Sequence, residues 1–164
     1  MTKPIVDYVA ILKTLLSHGV DFVIVGGVCA VLHGAPLATF DLDVVHSREP
    51  HNLDRLMVAL EELQAHYRIP GRQDKKPGPS HLASAGHQLL MTPFGPLDLL
   101  GTIGQGHDYD GLLHETEEVD IGGGIKARVL SLEGLVKTKE ETGQEKDKAV
   151  LPLLRSLLEE RSKS

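Results

Sequence analysis

The sequence is poor in the residues that mark secreted, membrane-spanning or base-stacking proteins. Its one cysteine, Cys29, excludes an internal disulfide and a multi-cysteine zinc site, and fits a reducing compartment. Tryptophan is absent and aromatic residues make up 4% of the chain, so a base-stacking platform is not indicated. No apolar run approaches the roughly 20 residues that span a bilayer, and Met1 to Asp7 carries no signal-peptide pattern. We therefore expect a cytoplasmic protein with no membrane partner.

Basic residues are fewer than acidic ones, and this imbalance argues against some classes of function. The chain has 17 basic and 23 acidic residues and a formal net charge of −6, which argues against a protein that mainly grips duplex nucleic acid or anionic lipid. Its 164 residues, 41% hydrophobic and 24% charged, fit one globular domain. We expect a single domain over 1–164, with 131–164 as a C-terminal helical extension.

Hydrophobic patterning predicts a mixed central sheet flanked by helices. Helices are predicted at 5–16, 28–32, 53–63, 112–114, 131–142 and 147–161. Strands are predicted at 20–25, 39–46, 88–91, 97–100, 117–121 and 125–130, the last four as two hairpins. A loop is expected at 71–80, and Pro152 is expected to kink or restart the last helix. This order of elements is typical of an α/β (α+β) layer fold without strict βαβ alternation.

The segments most informative about chemistry combine two glycines with three aspartates. Gly26–Gly27 ends a strand and feeds a helix, where backbone N–H groups can approach a phosphate, although such a pair commonly makes only a turn. Side chains alternate along a strand, so Asp41 and Asp43 are expected on one face, with their Cα atoms about 6.6 Å apart. Asp98 lies within a later apolar strand. The aspartates either form an exposed strand face or share a site.

Electrostatics favours a shared cation. Carboxylates on one face repel each other, and a third brought alongside raises the pKa of at least one of them unless a cation lies between them. Mg²⁺ prefers oxygen ligands and is usually completed by water and substrate phosphates. Two such ions about 3.5–4 Å apart can hold the attacking and leaving oxygens of a displacement at phosphorus.

With these residues the chain resembles the nucleotidyltransferase superfamily of DNA polymerase beta, above all its small bacterial and archaeal members. These include minimal nucleotidyltransferases and those of toxin–antitoxin systems. The resemblance rests on Gly26–Gly27, the segment Gly34 to Asp43, Asp98, and the stretch from Val129 to Lys139 followed by Lys146–Asp147. It covers about Val20 to Leu154, most of the chain.

The resemblance implies a polymerase beta-like fold, a nucleoside triphosphate substrate such as ATP, and two Mg²⁺ ions. Gly26, Gly27 and, in addition, Lys139 would contact the triphosphate. Asp41 and Asp43 would bind the metal that carries it, and Asp98 would join them at the second ion and help deprotonate an acceptor hydroxyl. That hydroxyl would attack the α-phosphorus with loss of pyrophosphate. The acceptor is left open among small molecules, RNA and proteins.

The chain departs from the family pattern at three places. Leu37 stands where many members have arginine, Gln144 where another basic residue is frequent, and Val150 where an aspartate often follows. These changes leave the three acids intact but affect the expected nucleotide and acceptor contacts. Two other functions therefore stay open: a non-catalytic module of the same fold that binds a partner protein, and a metal-dependent phosphohydrolase.

Other polar residues have simpler interpretations. His107, Asp108, Asp110 and His114 have metal-ligand types but lie in a loop-to-helix segment, and His33, near the glycine pair, is expected to be packed or solvated. Lys137 and Lys146 fit a solvated helix face, as Lys139 also does. The basic cluster, defined as Arg68, Arg72, Lys75 and Lys76, is either a solvated loop or a landing site for an anionic acceptor. Cys29 fits a small buried residue.

Overall fold

The structure is a computed structural model that describes residues 6–143 and 145–163. The expectations for Ile5 and Gln144 therefore lie outside the described residues. So does the side chain of Lys146.

In the described residues seven strands form one mixed sheet, and the patterning predicts six of them but not the short strand His66–Tyr67. They are β1 (Phe22–Val25), β2 (Leu42–His46), β3 (His66–Tyr67), β4 (His87–Thr92), β5 (Gly95–Leu100), β6 (Thr116–Asp120) and β7 (Lys126–Leu130). Their order across the sheet is β3-β4-β5-β2-β1-β7-β6. Strand β2 runs parallel to β5 and antiparallel to β1, and β1 runs parallel to β7. The two predicted hairpins, β4–β5 and β6–β7, are both present.

Over the described ranges, seven α-helices accompany the sheet. They are α1 (Tyr8–Ser17), α2 (Gly26–Leu32), α3 (Pro50–Glu62), α4 (Pro79–Ala83), α5 (Tyr109–Leu112), α6 (Leu132–Thr142) and α7 (Glu145–Ser162). Within the described ranges, none combines the length and apolar character that crossing a bilayer requires. The Ser131 hydroxyl accepts from Gly134 N–H at 3.0 Å and caps α6 as predicted, while Gly143 ends that helix with φ +61°.

The core lies between the sheet and the helices. All four residues of β1 are buried, as expected of an interior strand whose neighbours lie on both sides. Helix α3 begins with Pro50, where the missing N–H costs nothing, and buries Leu56 and Leu60. Asn52, fully buried on the same helix, hydrogen bonds to the backbone at Asp21 and Ser47 and so fixes to α3 the end of the β1–β2 pair where β1 begins and β2 ends.

Several elements and boundaries differ from the sequence expectation. Strand β3 and helix α4 have no predicted counterpart, and α4 begins at Pro79, inside the expected 71–80 loop. Strand β2 begins at Leu42 rather than at residue 39, because its neighbour β1 ends at Val25, opposite Asp43. Helix α2 begins at Gly26 itself, so the glycines form its first turn instead of preceding it. Helix α7 does not restart at Pro152. Leu151 and Leu154 are buried on either side of Pro152, and this packing offsets the lost backbone hydrogen bond.

Candidate active site

Two of the three aspartates lie side by side at the centre of the sheet. Asp43 on β2 and Asp98 on β5 are register partners in the parallel pair, and neighbouring strands are about 4.8 Å apart. Val25 lies opposite Asp43, and Leu89 lies opposite Asp98. Residues in register point to the same face, so the two carboxylates belong to one row across that face.

Asp41 occupies a different environment. It precedes β2, is exposed, and its backbone carbonyl accepts from the Thr39 hydroxyl at 3.3 Å. Asp43 is half-buried and Asp98 is 8% exposed. The predicted alternation is confirmed for Leu42 and Val44, which are both 1% exposed on the core face.

The glycine pair is fitted closely against this row. Gly26 has φ +70°, a conformation that favours glycine, and a Cβ atom there would overlap the Asp43 carboxylate. A Cβ atom at Gly27 would lie 2.6 Å from the Thr39 hydroxyl oxygen. The absence of side chains at both positions therefore lets the Asp43 and Thr39 side chains pack directly against the start of α2.

A cleft of about 540 Å³ opens at this position. Of the six predicted site residues, four line it: Gly26, Gly27, Asp43 and Lys139. Lys139 comes from α6, so the last part of the chain supplies a positive charge to a cleft whose floor comes from β1 and β2. The cleft is also lined by His87, Thr102, Thr138, Thr142 and Val150. Motif analysis missed the first four of these, because only the folded chain brings β4, the 101–104 turn and α6 together.

Asp98 forms an ion pair with Arg68. The Arg68 Nη2 atom lies 2.8 Å from Asp98 Oδ1, with side chains 25% and 12% exposed. The Arg68 Nη1 atom donates to the Leu90 carbonyl at 3.2 Å. Asp98 Oδ1 is buried and accepts no well-directed hydrogen bond from the described residues, so its pairing with Arg68 is mainly coulombic. Sequence analysis assigned Arg68 to the basic cluster, and no local signal indicated a partner on β5.

The carboxylate oxygens of the site are suitable ligands for a divalent cation, but the spatial arrangement of the acidic side chains suits one less well. Carboxylate oxygens are the ligands that Mg²⁺ prefers, and a buried Asp98 oxygen that accepts no directed hydrogen bond has a lone pair to offer. Nevertheless, in the described part of the chain no three His, Cys, Asp or Glu side chains are grouped closely enough to hold a metal. Asp43 and Asp98 are adjacent, Asp41 is exposed, and Arg68 already faces Asp98.

A second, shallower cleft of about 340 Å³ adjoins the first through His87. It is lined by Tyr67, Arg68, Ile69 and Leu89 as well. Ile69 and Leu89 are 48% and 46% exposed, so this cleft presents apolar surface to solvent. Because Arg68 lines it and also contacts Asp98, the second cleft leads to the aspartate row.

The remaining predicted candidates take structural roles. His33 is buried between the Leu130 carbonyl, at 2.8 Å, and Arg161. The Gln105 N–H and His107 both hydrogen bond to the Glu141 carboxylate, and these bonds lower the pKa of Glu141.

Asp108 caps α5 through the Gly111 N–H, Asp110 is exposed, and His114 faces Glu115 at 3.3 Å. The basic cluster is partly neutralised, since Arg72 pairs with Asp74. Burial raises the pKa of Cys29 to about 12.

Two of the departures from the family pattern can be located. Leu37 is half-buried against the core, and Val150 lines the cleft. Each position therefore presents an apolar side chain where the resemblance leads one to expect a charged one.

Solved structures share this architecture over nearly the whole chain. A candidate nucleotidyltransferase from Thermotoga maritima, TM1012, aligns with a TM-score of 0.56 and 19% identity, over 98% of this chain and 96% of that one. The lincosamide antibiotic adenylyltransferase LnuA, solved with lincomycin, aligns with a TM-score of 0.63 and 16% identity, over 94% and 99%. No family model and no curated protein matches the sequence. The chain has the nucleotidyltransferase fold, which confirms the expected fold class.

Proposed function

We propose that the protein is a Mg²⁺-dependent nucleotidyltransferase that moves a nucleoside monophosphate from a nucleoside triphosphate, ATP being the first candidate, to a hydroxyl acceptor. The observation that carries the proposal is that Asp43, which lines the cleft together with Gly26 and Gly27, lies beside Asp98 on the adjacent strand. Both similar structures bear nucleotidyltransferase descriptions, which supports the same reaction class.

The residues of the cleft suit a triphosphate. Gly26 and Gly27 let backbone approach the phosphates closely. Lys139, which also lines the cleft, adds a positive charge. Asp41, Asp43 and Asp98 are the candidates to hold Mg²⁺, which when bound neutralises charge on the triphosphate and on the displaced pyrophosphate. Catalysis would then consist mainly of positioning and charge stabilisation.

The proposed step is a displacement at the α-phosphorus. A bond forms between the acceptor oxygen and phosphorus, the bond from phosphorus to the bridging oxygen breaks, and pyrophosphate leaves. The proton of the hydroxyl passes to the Asp98 carboxylate. The second cleft, lined by Tyr67, Ile69 and Leu89, suits an acceptor with an apolar portion. A small hydroxylated molecule is the first class to test, because LnuA was solved with lincomycin.

Pyrophosphate release tests the proposal. The protein is incubated with Mg²⁺, each labelled nucleoside triphosphate, and pools of small-molecule, RNA or protein acceptors. We expect acceptor-dependent pyrophosphate, at least about a hundredfold less with Asp43→Asn or Asp98→Asn, and unchanged release with the exposed control Asp54→Asn. Release that is equal in all four proteins would place the chemistry elsewhere. Inorganic phosphate as the product would favour the phosphohydrolase.

A non-catalytic module is the second candidate. Arg68 neutralises Asp98, and Leu37 packs into the core where a charged residue is frequent in the family. A toxin–antitoxin-like partner protein would then occupy the cleft face. This function requires that no acceptor pool yields pyrophosphate and that one defined protein co-purifies with the parent chain but not with a Leu89→Asp variant on the exposed part of that face.

A further inference from the structure

The arginine at Asp98 lies where a second cation is expected. Its guanidinium approaches the Asp98 carboxylate at 2.8 Å, and Asp98 lies in register with Leu89 on β4. The same guanidinium donates to the Leu90 carbonyl on β4. Arg68 is therefore held at two points, one on the sheet backbone and one on the carboxylate.

Charge balance on the aspartate row follows from this placement. Two carboxylates on adjacent strands repel each other in a partly buried site. Arg68 compensates the charge of Asp98. A divalent ion at the same carboxylate would meet a guanidinium within a few ångströms, and like charges repel strongly where water is scarce.

From this we infer that the Arg68 guanidinium replaces one of the two divalent ions, so that the protein binds a single Mg²⁺ together with its nucleotide. The inference rests on the proposed function. An arginine suits the role because it is permanently charged, and its planar donors match carboxylate and phosphate oxygens. Asp41 and Asp43 then hold the one ion, and Asp98 with Arg68 lies beside it as a neutralised pair.

Metal stoichiometry, measured by equilibrium dialysis, tests the inference without turnover. The parent protein is dialysed against Mn²⁺ and labelled α,β-methylene ATP, and both are counted per chain. We expect one nucleotide and one Mn²⁺ in the parent, and two Mn²⁺ in Arg68→Gln, the second binding at least about fivefold more tightly than any second ion in the parent. Arg68→Lys, which keeps the positive charge, should still bind one Mn²⁺ per chain.

Two further variants locate the second ion. Arg68→Gln combined with Asp98→Asn should return to one Mn²⁺, and Arg72→Gln, an exposed arginine paired with Asp74, should match the parent. Two ions in the parent, or one in Arg68→Gln with its nucleotide bound, would overturn the inference while leaving the proposed function standing. A parent that binds no nucleotide overturns the proposed function and the inference with it. The number of Mn²⁺ ions bound by the parent protein tests the inference even if Arg68→Gln fails to fold.

Discussion

Comparing Gly26→Ala with Gly19→Ala separates the effect of a new side chain in the candidate site from the backbone strain that both variants share. Gly26 and Gly19 have nearly the same backbone conformation, φ +70° and +71°. A left-handed alanine costs about 1–2 kcal/mol at either position. At Gly19 the new Cβ meets only Arg55 Cδ at 3.5 Å, an ordinary contact. At Gly26 it overlaps the Asp43 carboxylate, which must leave its rotamer at a further cost of about 1 kcal/mol.

The expected result has two parts. Gly26→Ala should unfold about 2–4 °C below Gly19→Ala in a thermal melt, since about 1 kcal/mol corresponds to that shift in a chain of this size. Ligand at about 100 times its dissociation constant stabilises a protein by about 2.7 kcal/mol. Gly19→Ala should keep this Mg²⁺–nucleotide gain in melting temperature, and Gly26→Ala should lose most of it.

The reasoning is refuted if the two variants melt together, or if Gly26→Ala gains as much from nucleotide as Gly19→Ala does. Equal melting would mean that Asp43 does not lie against Gly26. An equal nucleotide gain would mean that the start of α2 is not part of the binding cleft.

Three further predictions concern buried side chains outside the cleft. Burial lowers the pKa of His46, so on acidification the unfolded chain takes up a proton before the folded chain does. The free energy of unfolding should therefore fall by up to about 1.4 kcal/mol per pH unit as pH drops below about 6.5. Melting curves of His46→Gln should lack this pH dependence, and those of the exposed control His51→Gln should retain it. Asn52→Ala leaves three backbone groups without their bonds and should cost about 2–4 kcal/mol in urea unfolding; a cost under about 1 kcal/mol contradicts the assignment. Cys29, with a pKa of about 12, should resist alkylation at neutral pH until the protein unfolds, so labelling at the rate of a free thiol would contradict its burial.

Most strands and the cap of α6 could be predicted because their signals are local, whereas the two-residue strand β3 and the short helix α4 could not. Alternation placed Leu42 and Val44 in the core, and Ser131 capped α6 as its position indicated. The first residue of β2 could not be predicted, because it depends on where the partner strand β1 ends and not on the β-propensity of Thr39 and Phe40.

The candidate site could be predicted from the sequence only in part. The adjacency of Asp43 and Asp98 is a contact between strands far apart in sequence, and the family resemblance, not any local pattern, indicated it. The pairing of Asp98 with Arg68 had no counterpart in the sequence signals. Its geometry depends on the β3–β4 and β4–β5 registers, which side-chain alternation alone does not fix. The roles of all six predicted site residues stay predictions: Gly26, Gly27, Asp41, Asp43, Asp98 and Lys139.

A crystal grown with Mg²⁺ and α,β-methylene ATP tests the central claim most directly. The account predicts triphosphate density along Gly26 and Gly27, with Lys139 on its far side and the α-phosphorus facing Asp43 and Asp98. Nucleotide bound away from this cleft, or a triphosphate that leaves both aspartates uncontacted by metal or phosphate, would contradict it.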